Sequence, residues 1–294
     1  MKYFYTLFLI FISILSFSQV SKPIYIYDSI SKAPIPFTNV IIYEKENIIN
    51  GFYADENGFV KIVCNENSSL KFSCIGYENK TFEKLFGLSD TIFLRQNSII
   101  LKEVIITNSN KYKNLGFINS KKNSTINTFK GSEFAVFIEN ESNVKTKIKS
   151  VILNLTKKKD HTTILKIKFY KKGNNDTPTD ILNNRDIIYY LKNKHNGELE
   201  IDIDDENIEL PEEGVYLSVE SLGFIDKKGS FISDQDMWHE FSFYLVDDIN
   251  NATFTKNNLK ANTWYNNLKL RFEEIGQKYK NHPNVSFGIK VYTE

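Results

Sequence analysis

Leu165-Lys166-Ile167-Lys168-Phe169-Tyr170 sets an apolar side chain at every second position, and Val215-Tyr216-Leu217-Ser218-Val219-Glu220 repeats the pattern further along. Successive side chains of an extended chain point to opposite faces, so each stretch reads as a strand with one face on a core. Phe241, Phe243 and Leu245 continue this period of two, and Phe287, Ile289 and Val291 close the chain with it. One apolar face per strand calls for a second sheet to cover it. Residues 132–294 are therefore expected to form a jelly-roll-like β-sandwich of about eight to ten strands. Residues 108–131, rich in Asn, Lys and Ser, read as a linker with an entering strand.

Working toward the N-terminus, residues 19–107 break into short runs separated by turn signals. The runs are Ile24–Tyr27, Phe37–Tyr43, Ile48–Tyr53, Phe59–Cys64, Leu70–Ile75, Lys80–Lys84 and Thr91–Leu94. This spacing predicts a small seven-stranded sandwich, so the fold class is all-β with two domains. Ala33-Pro34-Ile35-Pro36 predicts an extended, donor-poor turn, and Asp55-Glu56-Asn57-Gly58 a tight one that uses glycine's access to positive φ. Val60, Ile62 and Cys64 share one face, as do Leu70, Phe72 and Cys74. The pair is read as a hairpin with both cysteines turned inward. A disulfide between Cys64 and Cys74 and a pair of buried thiols both stand open, since export permits the bridge.

Composition agrees with strands. Aromatics make up 14% of the chain, with 23 Phe and 16 Tyr against only 2 Met. The first residues, MKYFYTLFLIFISILSFSQ, combine Lys2 with an apolar run of about 15 residues, short for a bilayer span of about 20. Residues 1–18 are accordingly expected to be a signal peptide, which makes the protein exported: periplasmic, outer-membrane-associated or secreted. Removing Lys2 with the leader leaves 36 basic against 36 acidic residues, a balance that gives no general attraction to nucleic acid. No later apolar stretch is long enough for a membrane-spanning helix.

Three segments carry a family resemblance. Asp28-Ser29-Ile30-Ser31-Lys32-Ala33-Pro34-Ile35-Pro36-Phe37-Thr38-Asn39-Val40, Phe72-Ser73-Cys74-Ile75-Gly76-Tyr77 and Leu101-Lys102-Glu103-Val104-Ile105-Ile106-Thr107, with Ala54–Gly58 between them, resemble the carboxypeptidase-regulatory-like domain of Bacteroidetes envelope proteins. The resemblance implies a transthyretin-like sandwich. It covers about 85 residues, without the usual opening glycine before the first strand. Asp176–Leu182, Ile201–Asp204 and Ile208–Glu220 resemble the uncharacterised β-sandwich module that often follows it. Neither the peptidase domain nor the transporter barrel that accompanies this domain in some relatives is present.

Several groups are candidates for chemistry. His195-Asn196-Gly197-Glu198 has the spacing of a zinc ligand pair with His282 as a third, but Asn196-Gly197 also reads as a hairpin turn. Glu198–Glu213 holds nine acids and no base, and Asp202, Asp204, Asp205 and Glu206 are candidate calcium ligands. The lysines Lys145, Lys147, Lys149, Lys157, Lys158, Lys159, Lys166, Lys168, Lys171 and Lys172 either form an anion-binding patch or lie across from that acidic run. Trp238 and Trp264, with Tyr189, Tyr190, Tyr216 and Tyr265, are candidates for a glycan platform. Asp236, His239 and Glu240 are the residues a hydrolase reading would need.

Nucleophile elbows and phosphate loops are absent from the sequence. The expectation is an exported, non-enzymatic binding or scaffolding protein of the cell envelope, without a cofactor, whose partner is an envelope protein or a glycan. A glycan-binding module, an accessory to a TonB-dependent outer-membrane transporter and a hydrolase are the alternatives.

Overall fold

In a computed structural model of the chain, the residues described are 20–85, 87–97, 111–232 and 241–293. The expected leader, the 101–107 segment, Trp238, Asp236, His239 and Glu240 lie outside them. The chain divides into two compact units, one built from residues up to 73 and 78–95, the other from 74–77 and 96 onward.

The first unit is made of β1 (Val20–Asp28), β2 (Asn39–Glu44), β3 (Asn47–Tyr53), β4 (Phe59–Cys64), β5 (Ser69–Ser73), β6 (Lys80–Phe82) and β7 (Thr91–Leu94). They form a three-stranded sheet, β4-β1-β7, and a four-stranded sheet, β3-β2-β5-β6. Strand β7 lies parallel to β1, while β4 runs antiparallel to it. Alternation buries Ile24 and Ile26 of β1, Val60 and Ile62 of β4, Ile92 and Leu94 of β7, and Leu70 and Phe72 of β5. The Asp55 carboxylate closes the turn before β4 by accepting from the N–H groups of Asn57 and Phe59. Gly58 sits there at φ 71°, where an added Cβ would stand 2.5 Å from the Ile26 carbonyl oxygen.

One expectation is corrected. Strand β4 pairs with β1 and β5 with β2, so the two are not a hairpin but belong to different sheets. Cys64 and Cys74 are both thiols, with no bridge between them. Alternation reports which face a residue occupies and not which strand lies beside it.

The second unit contains β8 (Lys111–Gly116), β9 (Lys122–Asn127), β10 (Ser132–Ile138), β11 (Thr146–Lys157), β12 (Thr162–Lys172), β13 (Pro178–Ile181), β14 (Ile187–Leu191) and β15 (His195–Asp202). It continues with β16 (Glu209–Leu210), β17 (Val215–Ile225), β18 (Phe231–Ile232), β19 (Ser242–Asp248), β20 (Thr253–Asn257), β21 (Ala261–Tyr265), β22 (His282–Val285) and β23 (Phe287–Thr293). Among the described residues one α-helix, α1 (Leu268–Glu274), buries Leu268 and Phe272, four positions apart and so on one face. The strands make two eight-stranded sheets, one centred on β12-β17-β10-β20, the other on β19-β11-β23.

The strand count exceeds the expected eight to ten because several strands are only two to five residues long. The region expected to hold a linker with an entering strand supplies two strands, β8 on β23 and β9 on β19. Their side chains are mostly exposed or half-buried, so they carry no apolar alternation to read. The core joins Val136, Ile167, Phe169, Leu217 and Val219 of the first sheet to Val151, Leu153, Phe243, Phe287 and Ile289 of the second. In β17 the register slips beside Leu222, so that Leu165 faces Ser221 and Ile164 faces Gly223. This is a bulge of one extra residue. Among the described residues no helix is long and apolar enough to cross a membrane.

Candidate functional site

The face of the β12-β17-β10-β20 sheet turned away from that core is organised in rows by register. Glu133 lies opposite both Glu220 and Lys256, and Lys166 lies opposite Glu220. In the next row Ala135 is opposite Ser218 and Phe254, with Lys168 beyond Ser218. The third row sets Phe137 and Tyr170 on either side of Tyr216. Ions occupy one end of this face and rings the other.

The ion row is closed. Glu133 is 0% exposed, and Lys168 Nζ bridges it to Glu220 at 2.9 and 2.6 Å. Lys256 stands 3.4 Å from Glu133, while Tyr170 and Ser218 donate their hydroxyls to it at 2.7 and 2.6 Å. Asn258 Nδ2 donates to both carboxylates. Burial by itself would raise the Glu133 pKa, but Lys168 and Lys256 outweigh it and hold the carboxyl well below its ordinary range. The same burial opposes charge on Lys168, yet Glu133 and Glu220 push its pKa well above that of a free lysine. Burial dominates at Lys256 and lowers it. Lys166, opposite Glu220, pairs with Asp186 at 2.6 Å. Matched and enclosed in this way, the charges act as internal structure.

The ring end opens into a cleft of about 760 Å³. Phe137, Tyr216 and Phe254 form its floor, with centroids 5.0 Å apart for the first pair and 5.6 Å for the second. The Tyr216 hydroxyl donates to the Asp176 carbonyl, and burial raises its pKa. Lys172 Nζ lies 4.7 Å above the Phe137 ring and 2.9 Å from the Asp176 carboxylate. Loops from three connections form the rim: Glu139 and Glu141 after β10, Asn175 and Asp176 after β12, and Asn250 and Asn251 after β19.

The β19–β20 loop is held from beneath by Asn284, which is 0% exposed. Its Nδ2 donates to Asn250 O at 2.7 Å, and its Oδ1 accepts from Ala252 N at 2.9 Å. Asn266 Nδ2 donates to Asn251 O at 3.0 Å, leaving Asn266 Oδ1 buried without a donor.

A second open feature lies on the first unit. The solvent face of β4-β1-β7 carries Tyr25, Tyr27, Phe59 and Phe93. Tyr25 lies directly opposite Phe59 with centroids 5.1 Å apart, and Tyr27 opposite Phe93 at 6.2 Å. Tyr25 is 42% and Phe93 39% exposed. Lys61 is the only charged side chain among the outward positions of β4 and β7, and Lys32 Nζ stands 4.4 Å over the Phe93 ring.

The residues singled out from sequence are distributed as follows. Trp264 is half-buried, edge-on to Tyr170 at 5.6 Å and 4.3 Å beneath Lys256, so it covers the ion row. Tyr216 reaches the cleft, Tyr189 packs on the core and Tyr265 is exposed. Tyr190 sits half-buried on β14. Phe137 and Phe254 were missed: they lie on the face away from the main core, and the near-continuous burial along β10 and at the start of β20 hides the alternation that would separate the faces.

The acidic run pairs with lysines. Asp202 meets Lys149 at 2.7 Å, Asp204 meets Lys147 at 2.8 Å, and Glu206 takes both Nε and Nη2 of Arg185 at 2.8 Å. Glu209 meets Lys145 at 3.1 Å, while Asp205 joins the short turn Asp204–Glu206. Lys149 holds the Asp202 carboxyl below its usual range. At Asp204 burial works the other way and is outweighed by Lys147 and the Tyr292 hydroxyl. Among the described residues no three His, Cys, Asp or Glu side chains converge as a metal site.

His195 Nε2 contacts the Glu198 carbonyl at 3.1 Å, and His282 lies on β22, opposite Asp248. Asn196 and Gly197 are strand residues facing Thr156 and Leu155, not a turn. The remaining lysines divide. Lys171 and Lys172 meet Asp180 and Asp176, and Lys157 is buried with its ammonium on the carbonyls of Lys159, His161 and Asn193. Lys158 joins Lys194 and His195 along an open groove of about 720 Å³.

No known protein family matches the chain. No curated protein matches it either. Among solved structures it is similar to a chain of the crystal structure of the T13 IBDV viral particle, with 10% identity and a TM-score of 0.20. That alignment covers 93% of this chain and 61% of the other, so the chain spans less than two thirds of that protein. A superposition of this quality carries no argument about fold or function.

Proposed function

We propose that this chain is an exported, non-enzymatic binding or scaffolding protein of a Bacteroidetes-type cell envelope. One observation carries the reading: four aromatic side chains stand in a cross-strand row on the solvent face of the three-stranded sheet. Clustered exposed apolar groups mark interaction surfaces, since leaving them in water forfeits the free energy their burial would release. Among the described residues the charged groups give no support to an enzyme reading, because the most perturbed of them are enclosed and matched.

The finer architecture is part of this proposal. Seven strands divided three and four support a transthyretin-like, carboxypeptidase-regulatory-like first unit, and two eight-stranded sheets support a jelly-roll-like second one. The test is cosedimentation of the leaderless chain with isolated Bacteroidetes cell envelopes. The wild type is expected to sediment with them and the Tyr25→Ser/Phe93→Ser variant to lose at least tenfold in bound fraction. Equal binding of the two, or none by either, refutes the reading.

A further inference from the structure

We infer that the cleft floored by Phe137, Tyr216 and Phe254 is a recognition site for a neutral saccharide. The inference rests on reading the chain as a binding protein and adds a ligand class at a place separate from the aromatic row of the first unit. Four observations converge on it.

The first is size and composition. About 760 Å³ falls within the range of small-molecule sites, which combine an apolar floor with a few convergent polar groups. A pyranose has the matching character: a C–H face that packs on aromatic rings and an equatorial fringe of hydroxyls that both donate and accept. The second is the choice of polar residues. Asn175, Asn250 and Asn251 line the rim, and the carboxamide each carries combines a donor and an acceptor side by side, as a pair of neighbouring hydroxyls requires.

Charge is the third. Lys172 is matched by Asp176 at 2.9 Å and Lys113 by Glu141 at 2.6 Å, which leaves Glu139 as the unbalanced charge of the rim. An anionic ligand would meet a net negative opening, whereas an uncharged one would not. The fourth is preorganisation. Asn284 fixes both the Asn250 carbonyl and the Ala252 amide, so the loop loses little freedom when a ligand settles. Asn266 Nδ2 likewise holds the Asn251 carbonyl at 3.0 Å. The acids here are exposed or ion-paired, an arrangement suited to holding a sugar and not to cleaving it.

The test is isothermal titration of the leaderless full-length chain with gluco-, manno- and xylo-oligosaccharides, with oligogalacturonate as the anionic counterpart. At least one neutral series is expected to bind and to be recovered intact. Phe137→Ala is expected to weaken binding tenfold or more. Because Phe137 is half-buried, Asn250→Ala and Asn251→Ala serve as surface variants, each expected to weaken binding threefold or more with an unchanged melting temperature. Tyr25→Ser/Phe93→Ser is expected to bind like the wild type. Absence of binding by every neutral series at millimolar concentration, preference for oligogalacturonate, or wild-type affinity in all three cleft variants overturns the inference. Loss of sugar binding with envelope binding retained would remove the saccharide site alone.

Discussion

Lys168→Met is the most demanding test of how the second unit is held together. Lys168 Nζ, with Asn258 Nδ2, bridges Glu133 and Glu220, which lie directly opposite each other across β10 and β17. Methionine keeps most of the side-chain volume and removes the charge. Two buried carboxylates would then face one another with Lys256, 3.4 Å from Glu133, and Lys166, opposite Glu220, as remaining cations. Breaking a buried ion pair from one side costs about 3–5 kcal/mol. For a unit of this size, that corresponds to a fall in melting temperature of roughly 6–20 °C.

Trp264 lies in the second unit and packs against Lys256, so its fluorescence reports this transition. The pH dependence gives a second reading. In the wild type the Glu133 pKa is depressed, so its contribution is present above the ordinary carboxylate range near pH 4 and is lost as pH falls toward the folded-state value. In Lys168→Met the two carboxylates repel, so protonation relieves the variant. The gap to the wild type should therefore narrow between pH 7 and pH 5. Adding Glu133→Gln removes the repulsion and should restore part of the loss. A destabilisation below about 1 kcal/mol, or a gap that ignores pH, would refute the assignment of this network as the structural centre of the sheet.

Other consequences are smaller. Gly58→Ala should destabilise the first unit by about 1–3 kcal/mol in urea titration, since φ 71° is strained for alanine and its Cβ would press on the Ile26 carbonyl. Unfolding the unreduced protein should expose two reactive thiols. In the folded state Cys64 should react slowly, because burial and Glu44 raise its pKa against the lowering effect of Ser68. Lys149→Ala should cost less than about 1 kcal/mol, with a difference that shrinks in high salt. Asp202 and Asp204 both have depressed pKa values, so their ion pairs should support the fold at neutral pH and fail as acidity passes below pH ~4. Added calcium should leave the melting temperature unchanged.

How far the chain can be read depends on what alternation encodes. The seven runs of the first unit appear as strands, most plainly β1, β4, β5 and β7, where apolar residues alternate, and turn residues such as Asp55 and Gly58 bound them. Pairing was not readable: β4 and β5 look like a hairpin in sequence, and the connection instead crosses between sheets. Of β8 and β9 only a single entering strand was readable, without bounds, because exposed residues carry no period. The lysine and acid partners along β11 were legible as opposite charges, since strands bearing them gain by lying together. The cleft was legible only in Tyr216. Phe137, Tyr216 and Phe254 meet because β10 lies between β17 and β20, and register over such sequence separations leaves no local mark.

The slip beside Leu222 has a consequence for inheritance. Deleting one residue between Val215 and Glu220 would carry every later side chain to the opposite face, dropping Glu220 into the apolar interior and lifting Val219 out of it. At the slip an odd residue is already accommodated, with Leu222 fully enclosed and Gly223 at φ 155°. Insertions and deletions are thus expected to collect there and in the loops among descendants of this chain. The stretch from Val215 to Glu220 should keep its length even where its letters change.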